Sequence, residues 1–103
     1  MSVLMEFAMF PTDKGASVSE YVSKVIQMIR TEAKEYKLTA MGTIIETDTM
    51  SEALAIIQKA SDILSENSDR VYSSIKFDIQ KNKNNRLQSK IQSVENKIGT
   101  VNK

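Results

Sequence analysis

Histidine, cysteine and tryptophan are absent from this chain of 103 residues. Without His, no Ser–His or Cys–His nucleophile system can be assembled, and the commonest imidazole general base is missing. Without His or Cys, zinc, haem and iron–sulfur centres lose their usual ligands. Disulfides are impossible, so the composition gives no sign of an oxidising compartment. Glycine occurs three times and proline once. Gly15, Gly42 and Gly99 compose neither G-x-G-x-x-G nor a phosphate-binding loop. An excess of charge is lacking too: 14 basic and 13 acidic residues leave a net +1, against the strongly basic face of a dedicated nucleic-acid binder. No apolar run approaches the roughly 18 residues of a membrane span. The opening Met1-Ser2-Val3-Leu4-Met5-Glu6 has no basic leader region, and the expectation is a cytoplasmic protein.

What is present describes one globular domain over residues 1–103, at 41% hydrophobic and 26% charged. Val3, Met5, Phe7 and Met9 alternate with Leu4, Glu6, Ala8 and Phe10, which predicts a strand that Pro11 brings to an end. Ser17-Val18-Ser19-Glu20 fits a capping box, and Val18, Val22, Val25, Ile26, Ile29 and Ala33 follow at helical spacing. Two short strands are expected at Tyr36-Lys37-Leu38-Thr39 and Gly42-Thr43-Ile44-Ile45-Glu46, joined by a tight turn or a bulged ribbon. Thr49-Met50-Ser51-Glu52 repeats the capping pattern 32 residues after the first, ahead of a second amphipathic helix. Residues 70–80 alternate cleanly, with Val71, Ser73, Ile75, Phe77 and Ile79 on one side and Tyr72, Ser74, Lys76, Asp78 and Gln80 on the other.

The order β-α-β-β-α-β, with two halves of similar size, predicts an α+β ferredoxin-like sandwich. After it comes a basic tail, residues 80–103. Residues 81–103 carry +5 and residues 1–80 carry −4. Leu87, Ile91, Val94 and Ile98 form a narrow stripe closed by Gly99, which predicts an added C-terminal helix. That helix can dock on its own sheet or on a neighbouring subunit.

Three kinds of function compete for these residues. Catalysis has little to work with: Glu46, Asp48 and Asp78 are carboxylates outside any diagnostic pair, so no catalytic residue and no metal ligand is assigned. RNA binding of the kind seen on this topology needs exposed aromatics on the central strands. Here Phe7 and Phe77 fall on the apolar faces, where core packing is expected, and Phe10 and Tyr72 lack the Gly-aromatic signature. A small-ligand module is the third reading. Thr43 and Glu46 set a hydroxyl and a carboxylate along one strand after Gly42. Ser17 stands at a helix start, where free N–H groups favour electron-rich ligands. Ser73 and Ser74 place hydroxyls in the last strand. The plainer roles remain open: Ser17 as a cap, Thr43 as an ordinary strand residue, Ser73 as a small core residue.

Taken together, Ser17-Val18-Ser19-Glu20-Tyr21-Val22, Tyr36-x-Leu38-Thr39-x-Met41-Gly42-Thr43-Ile44-Ile45-Glu46 and Arg70-Val71-Tyr72-Ser73-Ser74-Ile75-Lys76 resemble the small thiamine-binding protein family. The resemblance covers nearly the whole chain, and the Met-Gly-Thr-x-x-Glu block is its most specific part. It implies a ferredoxin-like domain with an added helix, assembled as a homodimer or homotetramer. It also implies that thiamine or its hydroxymethyl-pyrimidine portion is bound and not turned over, with no further cofactor. On the matching positions it implies ligand contacts from Ser17, Thr43 and Glu46, then Ser73 and Ser74. A ring would stack on Phe10 or Tyr72. The competing reading is an interaction domain that binds a protein or an anion.

Overall fold

The computed structural model describes residues 1–16 and 18–103. Seven elements follow one another: β1 (Ser2–Pro11), α1 (Ser19–Glu32), β2 (Glu35–Leu38), β3 (Thr43–Thr47), α2 (Met50–Ser65), β4 (Val71–Gln80) and α3 (Arg86–Ile98). The strands form one antiparallel sheet in the order β2-β3-β1-β4. With two helices on one face, this is the ferredoxin-like arrangement the sequence predicts. No helix among the described residues is long and apolar enough to cross a membrane.

Period-two alternation in β1 turns Val3, Met5, Phe7 and Met9 to one face, where all four are buried. They meet Val25 and Ile29 of α1, Ile45 of β3, and Ala53, Ile56, Ala60 and Leu64 of α2. Each large aliphatic side chain removed from water in this layer contributes about 1.5–3 kcal/mol. The capping boxes meet different fates. Thr49 caps α2 as expected, its Oγ1 accepting from the Glu52 amide at 3.2 Å and donating to Glu52 Oε1 at 2.9 Å. In α1 the N-cap position belongs to Val18, with no side-chain cap hydrogen bond. Ser17, proposed as the cap, lies outside the described residues.

The β2–β3 connection is a tight turn rather than a bulged ribbon. Leu38 pairs with Thr43, and Thr39 closes the turn through its amide and its hydroxyl, which donate to the Gly42 carbonyl at 2.9 and 2.8 Å. The far strand departs more from its sequence pattern. β4 lies at the sheet edge, and on its core-facing side Phe77 and Ile79 keep 38% and 47% of their surface exposed. Core packing, expected for Phe77, therefore does not hold. Ser73, on the same side, is exposed and is no core residue either.

The third helix lies across the opposite face. Its first turn meets Ser2, Glu46 and Asp78, which point away from the two-helix layer. Only Leu87 and Ile91 of the expected stripe are half-buried, whereas Val94 and Ile98 are exposed. The tail helix thus stands partly clear of the body. The Cα radius of gyration is 14.9 Å, against about 13 Å for a compact domain of this length.

Candidate functional site

The Met41-Gly42-Thr43 block turns the chain into β3 beside the last residues of β1. Gly42 permits this approach: a Cβ at that position would stand 3.0 Å from the Phe7 backbone carbonyl oxygen. The close pass leaves a cleft of about 320 Å³ between β1, the first turns of α1 and the β2–β3 turn. Phe7, Phe10, Val22, Ile26, Met41 and Thr43 are among its lining residues, and none of the lining side chains is charged. Ligand clefts typically run from roughly 300 to 1,000 Å³ and combine apolar walls with a few polar groups. This one sits at the lower end and suits a single ring.

Of the residues singled out from sequence, Thr43 and Phe10 meet at this cleft. Thr43 is buried within it, opposite Phe7. Phe10 borders it and also packs against Tyr72, with ring centroids 5.7 Å apart at 44°. Tyr72 and Ser74 pair with Phe10 and Ala8 on the face away from the helices. Ser73 pairs with Met9, itself a lining residue, but does not line the cleft. Ser17 falls outside the described residues. Thr39 and Met41 line the cleft without having been marked as site residues, although Met41, 86% exposed at a turn tip, is an unusual place for an apolar side chain.

Glu46 has a different task from the one its position in the block suggests. It is 9% exposed, and three donors already hold its carboxylate. The Ser2 hydroxyl and the Arg86 amide donate to Oε2 at 2.5 and 2.9 Å, and the Leu87 amide donates to Oε1 at 2.9 Å. The carboxylate therefore caps α3 from a separate strand, filling the positive end of the helix dipole. Burial pushes the Glu46 carboxyl up, but the Ser2 hydroxyl, the Leu87 and Arg86 amides and the Arg86 charge hold it, on balance, below the ordinary carboxylate range. Arg86 itself is 2% exposed. Its Nε donates to Ser2 Oγ at 3.0 Å, and its Nη2 donates to the Ser2 and Asp78 carbonyls. Nη1 lies 3.1 Å from Asp78 Oδ2 in an ionic contact without hydrogen-bond alignment. The Lys90 hydrogen bond and the adjacent Arg86 guanidinium hold the Asp78 carboxyl below its usual range as well.

Beyond Glu46 a second cleft, of about 360 Å³, is lined by Glu32, Glu35, Asp48 and Glu52 together with Lys34 and Lys59. Lys59 pairs with Glu32 at 2.7 Å. Among the described residues no group of three or more carboxylates is arranged to hold a metal ion.

An antiparallel sheet with two helices on one face and a capped third helix on the other define a ferredoxin-like α+β domain that carries an uncharged cleft. Comparison with known proteins gives the family. Residues 5–95 match the model of the thiamine-binding protein family, and the chain belongs to that family. A UPF0045 protein of Methanocaldococcus jannaschii is 36% identical over 92 residues, covering 89% of this chain and 91% of that one. A UPF0045 protein of Mycobacterium bovis is 33% identical over 95 residues, covering 92% and 93%. Among solved structures, a hypothetical protein of M. jannaschii superposes with a TM-score of 0.81 at 34% identity, over 90% of this chain and 95% of that one. A Thermotoga maritima protein provisionally assigned to thiamine biosynthesis or salvage superposes with a TM-score of 0.78 over 91% of this chain and 99% of that one. At 14% identity, that likeness speaks for the fold alone.

Proposed function

We propose that this chain is a non-catalytic, homo-oligomeric binder of thiamine or a related pyrimidine or thiazole compound, and that the ring enters the cleft beside Met41-Gly42-Thr43. The observation that carries this reading is the cleft itself. It is apolar, of single-ring size, and lined by the block that most specifically resembles the family. Phe7, Phe10 and Met41 offer surfaces on which an aromatic ring can stack or pack. Thr43 brings a hydroxyl that both donates and accepts, as the edge of an aminopyrimidine requires. The hydroxyls of Thr39 and Thr43 beside apolar walls support a site that holds a ring.

Assembly into homo-oligomers is supported by the apolar surface a single chain leaves open, including Phe77, Ile79, Val94 and Ile98. Calorimetric titration with thiamine and with hydroxymethyl-pyrimidine tests the ligand. Saturable binding is expected, and Thr43→Val should weaken it about tenfold, the usual scale for one lost hydrogen bond to a ligand. No heat and no thermal shift from either compound would remove the ligand assignment and favour an interaction domain.

A further inference from the structure

We infer that Met41 is an oxidation site through which a peroxide regulates the cleft. Conversion of its thioether to the sulfoxide weakens the hold on the ring, and bound ligand in turn shields the sulfur. This regulation rests on the ligand-binding reading given above.

Sulfur is the softest target this chain presents to a two-electron oxidant. No cysteine, histidine or tryptophan shares the attack, and sulfur occurs only in six methionines. Met5 and Met9 are buried in the core, and Met28 and Met50 are half-buried against it. Met1 is 45% exposed, but it precedes β1, at the end of that strand away from the cleft. Met41 keeps 86% of its surface in water, and of these two exposed methionines it alone lines the cleft. Access for an oxidant and contact with the cleft thus coincide in one thioether. Its main chain is fixed there: Thr39 Oγ1 accepts the Met41 amide at 3.3 Å and donates to the Gly42 carbonyl at 2.8 Å. From that anchored turn the unbranched side chain can lie over the cleft mouth or swing into water.

The chemistry needs one peroxide per sulfur. The sulfur lone pair attacks the outer peroxide oxygen, so that an S–O bond forms and the O–O bond breaks. The proton on the transferred oxygen passes to the departing hydroxide, which leaves as water. Sulfur gives up two electrons and the peroxide takes them. The product is uncharged, yet it carries a strong hydrogen-bond acceptor where the thioether was a weak one. In the ligand-free chain that oxygen sits in water at little cost. Over a bound ring it must give up its water, and the cleft has little to offer in return. Among the described lining residues the side-chain hydroxyls are those of Thr39 and Thr43. The Thr39 hydroxyl already donates to the Gly42 carbonyl, and Thr43 is the buried hydroxyl assigned to the ligand. An acceptor buried without a donor is unfavourable, so oxidation weighs on the bound state more than on the free one. Conversely, a ring packed on the thioether covers its lone pairs and slows the attack.

Brief treatment with hydrogen peroxide, followed by peptide mass spectrometry, should place the first added oxygens on Met41 and Met1, ahead of the methionines packed in or against the core. At saturation, the tighter binder of thiamine and hydroxymethyl-pyrimidine should slow oxidation of Met41 severalfold and leave Met1 unchanged. By calorimetry the oxidised chain should bind that compound about tenfold more weakly, and methionine sulfoxide reductase should restore the loss. Met41→Leu, whatever its own affinity, should bind equally before and after peroxide. If neither compound binds the native chain, the ligand reading falls and this regulation with it. If one binds but its affinity survives oxidation of Met41, or if it leaves the rate at Met41 unchanged, the regulation alone is overturned. A Met41→Leu chain that loses affinity on oxidation as the native one does would move the effect to another sulfur and reject Met41.

Discussion

The Glu46 carboxylate in β3 accepts the backbone amides of Arg86 and Leu87 at 2.9 Å each, reaching across forty residues to cap a helix that has no cap of its own. Asn85, the residue at the N-cap position of α3, is left-handed at φ +54° and makes no side-chain cap hydrogen bond. The strand supplies what the local sequence does not.

Removing that carboxylate should release α3. Glu46→Ala leaves the Arg86 and Leu87 amides and the Ser2 hydroxyl without their shared acceptor, and each buried donor left unsatisfied typically costs about 1–3 kcal/mol. Chemical denaturation should show the loss. Acetate or formate, small enough to take the carboxylate's place, should restore part of it. An Ala variant as stable as the native chain would refute the capping role.

Acid should loosen the same helix. Glu46 and Asp78 both have carboxyls held below their ordinary range in the folded chain. Their contribution is fully present above the unfolded carboxylate values, near pH 4, and disappears as pH falls through the lower folded values. Amide exchange or near-terminal fluorescence labels on α3 should therefore report undocking only below about pH 4. Glu46→Gln should flatten that dependence.

A methyl group at position 42 should disturb the cleft. The Cβ of Gly42→Ala would press on the Phe7 carbonyl, which belongs to the backbone and has little room to yield. Overpacking of this kind costs about 1–3 kcal/mol. Because the β2–β3 turn must shift, ligand affinity should fall along with thermal stability. Titration of the folded variant separates the two effects.

Thr49→Ala should destabilise α2 by about 1 kcal/mol through loss of its cap. For a domain of this size that is a fall of about 4–8 °C in the melting midpoint. Ligand affinity should not change, since Thr49 is remote from the cleft lining.

The elements themselves were legible because each rests on local periodicity: alternation in β1, helical spacing in α2, and Gly99 with its φ of +88° ending α3. Thr49 was legible for the same reason, since its partner Glu52 is three residues away. Glu46 was not, because its donors come from residues 2, 86 and 87 and nothing in the strand announces them. β4 shows the converse. Its alternation is as clean as that of β1, yet alternation records only which face a side chain points to, not whether anything covers that face. The position of β4 at the sheet edge, a product of topology, leaves Phe77 and Ile79 open. Of the site, Thr43 lines the cleft on the helix-facing side, while Phe10, which borders the cleft, shares with Tyr72 and Ser74 the face away from the helices by the parity of the strands.

The uncharged lining of the cleft also sorts its guests by what it cannot neutralise. A phosphate group drawn into it would find no cation, and the buried guanidinium of Arg86 is already committed at the far end of the sheet. Stripping an ion of its water without a counter-charge is far costlier than burying a neutral ring. The proposed function therefore predicts that the neutral aminopyrimidine is the end that goes in, with the thiazolium at the rim in water, and that titration with phosphorylated forms should show no gain in affinity over thiamine.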